Sequence, residues 1–390
     1  MNFLSYAFFV LRDTFLSLVS CFIPMNRYRI IFNSTRNVNY NFNSKYLYEF
    51  IRNKKDSPFE CFFVMNDRDK AEELRSNDNV NVISSRTFYG QFVILTSKIW
   101  VCSTLEAPSD TLFKRPGRVV YHLGHGIPLK KIGMAENNIS FLRKVNRLLR
   151  IRNFTHVTCY SEYFEEVLFN AFNKNNKIEY MPLGQPRNDS VFSNEDNSSL
   201  SGFIGSICEN EIDSSIKILY CPTWRGYATT KFFPFGDFDL RKLEEHLERN
   251  NIFIFLREHP YYKFDLPVGI YELKRVIKFD STVISDITPF LPLFDKLITD
   301  YSSVFIDYFL MKRSVVFIPY DIELYIEKVG FSKNYNEIAL GTHVHTFYDL
   351  LNALTDCHVY DYTNISGKLN LKSERNCIEH YEKLLKLVSL

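Results

Sequence analysis

At 390 residues the chain is too long for one ordinary core and fits two domains of typical size. Apolar and charged fractions of 46% and 24% exclude a disordered protein, and a net charge of +2 places no global demand for nucleic acid. The eight cysteines are scattered without CxxC spacing. They read as thiols in a reducing compartment, and neither a disulfide framework nor a zinc site is expected.

Residues 1–24, MNFLSYAFFVLRDTFLSLVSCFIP, come first. Arg12 and Asp13 interrupt the apolar run, so neither half reaches the roughly 20 residues of a membrane span. At helical spacing Leu4, Phe8, Leu11, Phe15, Leu18 and Phe22 share one face. Two readings stand: a helix packed on the body of the protein, or one lying in a membrane interface.

After Pro24, strand-like and helical patterns alternate. Strands are predicted at Arg29–Phe32, Cys61–Met65, Val80–Ile83, Val119–His122 and Val157–Tyr160. Helices fall at Ser44–Asn53, Asp69–Ser76 and Ser140–Ile151, while Phe92–Ile99 is ambiguous. A polar stretch rich in Ser, Asn and acids, 190–215, reads as a linker. Alternation then resumes with strands at Lys217–Tyr220, Ile252–Leu256, Val276–Phe279, Lys296–Thr299 and Ser314–Ile318. Helices are predicted at Leu240–Asn250, Ser303–Leu310 and Ser373–Leu390. The pattern is that of parallel βαβ units in two α/β halves, with domains at 25–200 and 201–390.

Ligands of such sheets bind beyond the carboxyl ends of the strands, and four loops there have unusual composition. YHLGHGIPLKKIG, residues 121–133, sets His125 between Gly124 and Gly126 and presents Lys130 and Lys131. A histidine is suited to taking a proton near neutral pH; a structural histidine bonding its own loop is the plain alternative. CPTWRGY, Cys221–Tyr227, offers Thr223 and Arg225, an arginine able to clamp phosphate bidentately. REHP places His259 before Pro260. ITDYSSVFIDYF, from Ile298, leads Asp300, Ser302 and Ser303 into a helix whose first N–H groups suit an anion. Phosphate-loop, dinucleotide, HExxH and GxSxG motifs are absent. Two DxD pairs, Asp67–Asp69 and Asp237–Asp239, lie in polar segments, and no metal or other cofactor is expected.

HGIPLKKIG, GQPRND (Gly184–Asp189), CPTWRGY, the His-Pro of REHP and ITDYSSVFIDYFLMKRSVVFIPYD together resemble the CDP-glycerol glycerophosphotransferases of teichoic acid and capsule synthesis, over roughly residues 25 to 350. The resemblance implies a GT-B architecture, two Rossmann-like domains facing across a cleft. The first would serve the acceptor and the second the CDP donor. It also implies transfer of glycerol phosphate or ribitol phosphate from a CDP-linked donor to a hydroxyl of a lipid-linked or polymer acceptor, releasing CMP. His125 and His259 take the positions of the functional histidines, with Arg225, Thr223, Asp300, Ser302 and Ser303 toward donor phosphate. Gly126 and Lys130 fall on the acceptor or phosphate-steering side. Gly124 stands where family members commonly carry tryptophan, which is expected to widen the acceptor side, and Ile127 where threonine is common.

A basic amphipathic stretch, Phe141–Asn153, bears Arg143, Lys144, Arg147, Arg150 and Arg152. With the amino-terminal helix it suggests anionic membrane contact, hence a peripheral protein on the cytoplasmic face of a bacterial membrane. Rival readings are a GT-B enzyme using an NDP-sugar, and a non-catalytic membrane-docking subunit.

Overall fold

The computed structural model describes residues 3–192, 214–258, 263–280, 284 and 286–389. Most of the polar 190–215 stretch, and His259 with Pro260, lie outside the described residues, as does the side chain of Leu4. The chain divides into two compact units. One holds Met1–Ile127, Ile132–Asp189 and Glu374–Leu390; the other holds Pro128–Lys131 and Ser190–Ser373.

In the first unit, helix α1 (Phe3–Val19) precedes β1 (Asn26–Asn33), α2 (Phe42–Asn53), β2 (Glu60–Val64), α3 (Arg68–Asn77), β3 (Val82–Ile83) and α4 (Phe88–Leu95). Then follow β4 (Ser97–Cys102), β5 (Val119–His122), α5 (Phe141–Ile151), β6 (His156–Thr158), α6 (Glu162–Ala171) and β7 (Glu179–Met181). All seven strands are parallel in the order β3-β2-β1-β4-β5-β6-β7. The ambiguous stretch Phe92–Ile99 resolves into the end of α4 and the start of β4, with Thr96 as the helix C-cap. Apolar runs buried on both faces, such as Ile30–Phe32 and Ile99–Cys102, are what such a sheet requires.

The second unit repeats the plan with β8 (Ile216–Tyr220), β9 (Thr230–Lys231), β10 (Ile252–Leu256), β11 (Phe264–Asp265), β12 (Val276–Lys278), β13 (Lys296–Thr299), β14 (Ser314–Phe317) and β15 (Thr342–His343). Its six-stranded parallel sheet runs β12-β10-β8-β13-β14-β15, with β9 and β11 paired apart. The order reverses direction between β8 and β13, so the loops leaving these two strands sit at the topological switch point where doubly wound sheets bind ligands. The anticipated helix after Ser303 is shorter than the pattern suggests, Val304–Tyr308 followed by a 3-10 turn to Met311.

Two boundaries differ from the sequence reading. The closing helix, Asn376–Ser389, belongs to the first unit, not the second. The physical reason is specific: the Asp189 carboxylate accepts from Asn376 N at 3.0 Å and Cys377 N at 2.7 Å, a negative charge on free N–H groups of a helix start. The buried His380 bonds the Tyr121 hydroxyl at 2.7 Å and the Gly184 carbonyl at 2.9 Å. Conversely Pro128–Lys131 counts with the second unit, where Lys131 N donates to Gly330 O and Ser332 N to Leu129 O.

Helix α1 turns its polar side inward. Asp13 is fully buried and accepts from Gln91 Nε2 at 2.9 Å, Ser109 Oγ at 3.1 Å and Asp110 N at 3.0 Å. Arg12 donates to the carbonyls of Ser85 and Arg86. The apolar side is left in solvent, with Leu11 71% and Phe15 65% exposed. The charges that interrupt the apolar run are therefore the anchor, and the apolar face is the outer one. Among the described residues no helix is long and apolar enough to cross a membrane.

Candidate active site

The His125 loop follows β5. His122, the last residue of that strand, is buried against Phe154 and Phe172, and burial, with a smaller push from His125, drives its pKa down to about 3. It stays neutral and structural. His125 itself is exposed, and its backbone is fixed. Asn43 Nδ2, at the start of α2, donates to Gly124 O at 3.0 Å, while Asn43 Oδ1 accepts from Arg187 N at 3.2 Å. Arg187 Nη1 then donates to His125 O at 3.0 Å. Asn43 is fully buried and Arg187 nearly so. The GQPRND segment thus supports the histidine loop. This role was not legible in the sequence, where GQPRND serves only as one segment of the family resemblance.

Gly124 adopts φ +72°, and Gly126 φ +150°, conformations that side chains rarely take. A Cβ at Gly124 would lie 1.7 Å from the Tyr160 hydroxyl. The expectation that Gly124 widens the acceptor side is corrected here: the buried Tyr160 fills the space that a side chain at 124 would enter.

In the second unit the switch-point loops interlock. The Asp300 carboxylate, just past β13, accepts from Thr223 N at 2.8 Å and Tyr301 N at 2.5 Å. Its other oxygen accepts from Arg225 Nη1 at 2.7 Å. Arg225 also donates to both oxygens of Asp321 and to the Thr223 carbonyl. It is buried, with Tyr301, Tyr320 and Tyr325 rings around its guanidinium. Burial alone would lower its pKa; Asp300 and Asp321 more than offset this and raise it. Burial would likewise raise Asp321, yet hydrogen bonds and charge from Arg225, with help from Tyr227, hold it below the usual carboxylate range.

One expectation changes accordingly. Arg225 is not an open phosphate clamp; its guanidinium is engaged inside the unit by two carboxylates that lie far along the chain. Asp300 does not cap the following helix, whose N-cap is Ser303 without a side-chain bond. Its oxygens are spent on the Thr223 loop. What this lattice leaves available is half-buried: the Ser302 and Ser303 hydroxyls have no partner among the described residues, and Thr223 Oγ1 is buried and unpartnered. Lys130 lies with its Nζ 4.7 Å from the Trp224 ring centre, a cation–π pair beside the same loop.

Three of the four DxD carboxylates bond backbone N–H groups. Asp67 and Asp239 cap helices and Asp237 accepts from Phe347 N. Among the described residues no group of three or more His, Cys, Asp or Glu is placed to hold a metal ion.

The family model described as CDP-Glycerol:Poly(glycerophosphate) glycerophosphotransferase matches residues 15–377. The chain belongs to this family. As a glycerophosphotransferase family member it is 27% identical over 356 residues to a teichoic acid poly(glycerol phosphate) polymerase of Bacillus subtilis (strain 168), a match covering 87% of this chain and 45% of that protein. It is 26% identical over 339 residues to a teichoic acid glycerol-phosphate transferase of Staphylococcus aureus (strain NCTC 8325 / PS 47), covering 84% of each. The chain therefore spans less than half of the first relative and most of the second. Among solved structures, that of the wall teichoic acid polymerase TagF shares its fold, with a TM-score of 0.73 at 21% identity, over 99% of this chain and 96% of that one.

Proposed function

We propose that this glycerophosphotransferase family member transfers an alditol phosphate, glycerol phosphate in preference to ribitol phosphate, from a CDP-linked donor to a hydroxyl of a teichoic acid or capsule-type acceptor. The observation that carries the reading is the family match across residues 15–377 together with an exposed His125 on a loop whose carbonyls are held by buried Asn43 and Arg187.

In this reading His125 takes the proton from the acceptor hydroxyl, whose oxygen forms the new bond to phosphorus. The bond from that phosphorus to the oxygen of CMP breaks, and the electron pair leaves with CMP. General-base help of this kind is worth on the order of a hundred- to ten-thousandfold. The second unit holds the donor phosphates through the Ser302 and Ser303 hydroxyls and Thr223, with His259 of the His-Pro motif contributing. Arg225 and Asp300 act through these neighbours by fixing the loop that carries Thr223. Lys130 steers an anionic group, and no metal is required. Removing one fixed donor at developing charge costs about a hundredfold to a thousandfold.

The outward apolar face of α1, with the exposed Phe141, Leu142, Arg143 and Lys144 on α5, supports peripheral attachment to an anionic bilayer on its cytoplasmic side, where a lipid-linked acceptor is reached.

The test is incubation of the purified protein with CDP-glycerol, CDP-ribitol and UDP-sugars in the presence of acceptor. CMP release from CDP-glycerol is expected. UDP release without CMP would overturn the assignment in favour of a sugar transferase.

A further inference from the structure

The residue that opens α2 has an unusual backbone. Phe42 has φ +60°, in the left-handed region that a bulky side chain avoids. Such a conformation persists only where the surroundings enforce it, and it concentrates at functional sites. Burial of the ring does not explain it: Phe42 is half-buried and stands outside the apolar core of its unit. Among the described residues its ring partner is the His125 imidazole, with centroids 5.3 Å apart and planes tilted by 43°. The next residue is the fully buried Asn43, whose side chain bridges Gly124 O and Arg187 N.

We propose that Phe42 is a positioning residue for His125. Its left-handed backbone sets the aromatic ring against the imidazole, while Asn43 and Arg187 hold the histidine's own backbone. Asn43 locks the start of α2 to the loop, so the turn at Phe42 has no freedom to relax. The ring restricts the orientations open to the exposed imidazole. A flat apolar wall orients a general base without taking up either ring nitrogen, which a hydrogen-bonding neighbour would do. This inference rests on the reading of His125 as the base.

Phe42→Gly removes the ring and at the same time suits the backbone, since glycine adopts positive φ without penalty. The variant should therefore melt at or above the parent temperature while kcat for CMP release falls by about a hundredfold, the scale of a misplaced reacting group. KM for the donor should stay within about twofold. Phe42→Tyr, which keeps the wall, should retain kcat within about threefold. In the double variant with His125→Ala the loss should equal that of His125→Ala alone, because a ring acting through the imidazole then has nothing to act on. Parental kcat in Phe42→Gly, beside an inactive His125→Ala, would overturn the positioning role alone. Full activity in His125→Ala would overturn the reading of the base, and this inference with it. Parallel loss of melting temperature and kcat in Phe42→Gly would mark the ring as merely structural.

Discussion

Arg225 and Asp321 meet through two parallel hydrogen bonds, Nε to Oδ2 at 3.1 Å and Nη2 to Oδ1 at 2.7 Å, although 96 residues separate them in sequence. The arginine side chain is wholly buried and the aspartate nearly so. Removing the arginine leaves two carboxylates, Asp300 and Asp321, without their shared counter-charge. Arg225→Ala should cost about 3–5 kcal/mol, measured as the free energy of urea unfolding. Asp321 has its carboxyl below the ordinary range, so its contribution is present at neutral pH and is lost only as pH falls below about 4, through its lowered folded-state value. A stable Arg225→Ala protein that had lost only donor affinity would restore the arginine as a substrate ligand.

His122 gives a second pH window. Its folded-state value of about 3 lies below the ordinary value near 6.5, so the unfolded chain takes up the proton first. The contribution to stability is complete above about pH 6.5 and shrinks as the pH drops toward 3. His122→Leu should flatten that limb of the urea midpoint against pH; an unchanged slope would show that other groups set it.

The pair Gly124 and Tyr160 predicts a steric coupling. Gly124→Ala should destabilise by about 1–3 kcal/mol, because the new Cβ meets the Tyr160 hydroxyl and the backbone is at positive φ. Tyr160→Ala in the same chain should recover part of that loss in a double-mutant cycle. Strict additivity would mean that the two positions do not share the space.

For α1 the expectation separates lipid binding from folding. Phe8→Ser, Leu11→Ser and Phe15→Ser together should lower partition onto anionic vesicles by about tenfold or more, while the melting temperature holds, since these side chains already face solvent. Asp13→Ala should do the reverse and destabilise the fold, as four donors, Arg12 among them, lose their acceptor.

Where the chain repeats one physical instruction, the fold was legible from residues alone. Runs such as CFFVM and IFIFL are buried on both faces in a parallel sheet, and each reads as a strand. The short β7 and β15 at the sheet edges carry no such run, and nothing in EYM or TH marks them. The spacing of apolar residues in α1 suggests a face, but a wheel does not say which side the protein body occupies. That depended on Gln91, Ser109 and Asp110 converging on Asp13. The same limit governed CPTWRGY: its place at a strand end is local, whereas the capture of Arg225 by Asp300 and Asp321 is a long-range event. Asn43 and Phe42 left no motif at all, because one works through a buried amide and the other through a backbone angle.

The return of helix Asn376–Ser389 to the first unit bears on the order of synthesis. Every residue of the second unit has been made by Ser373, whereas Tyr121, Gly184 and Asp189 wait for a helix translated about two hundred residues later, a span read from these positions. Until that helix is made, the earlier half lacks the core surface that Cys377, Tyr381, Leu384 and Val388 complete. A nascent chain stalled near residue 373 would present the half bearing His125 unfinished.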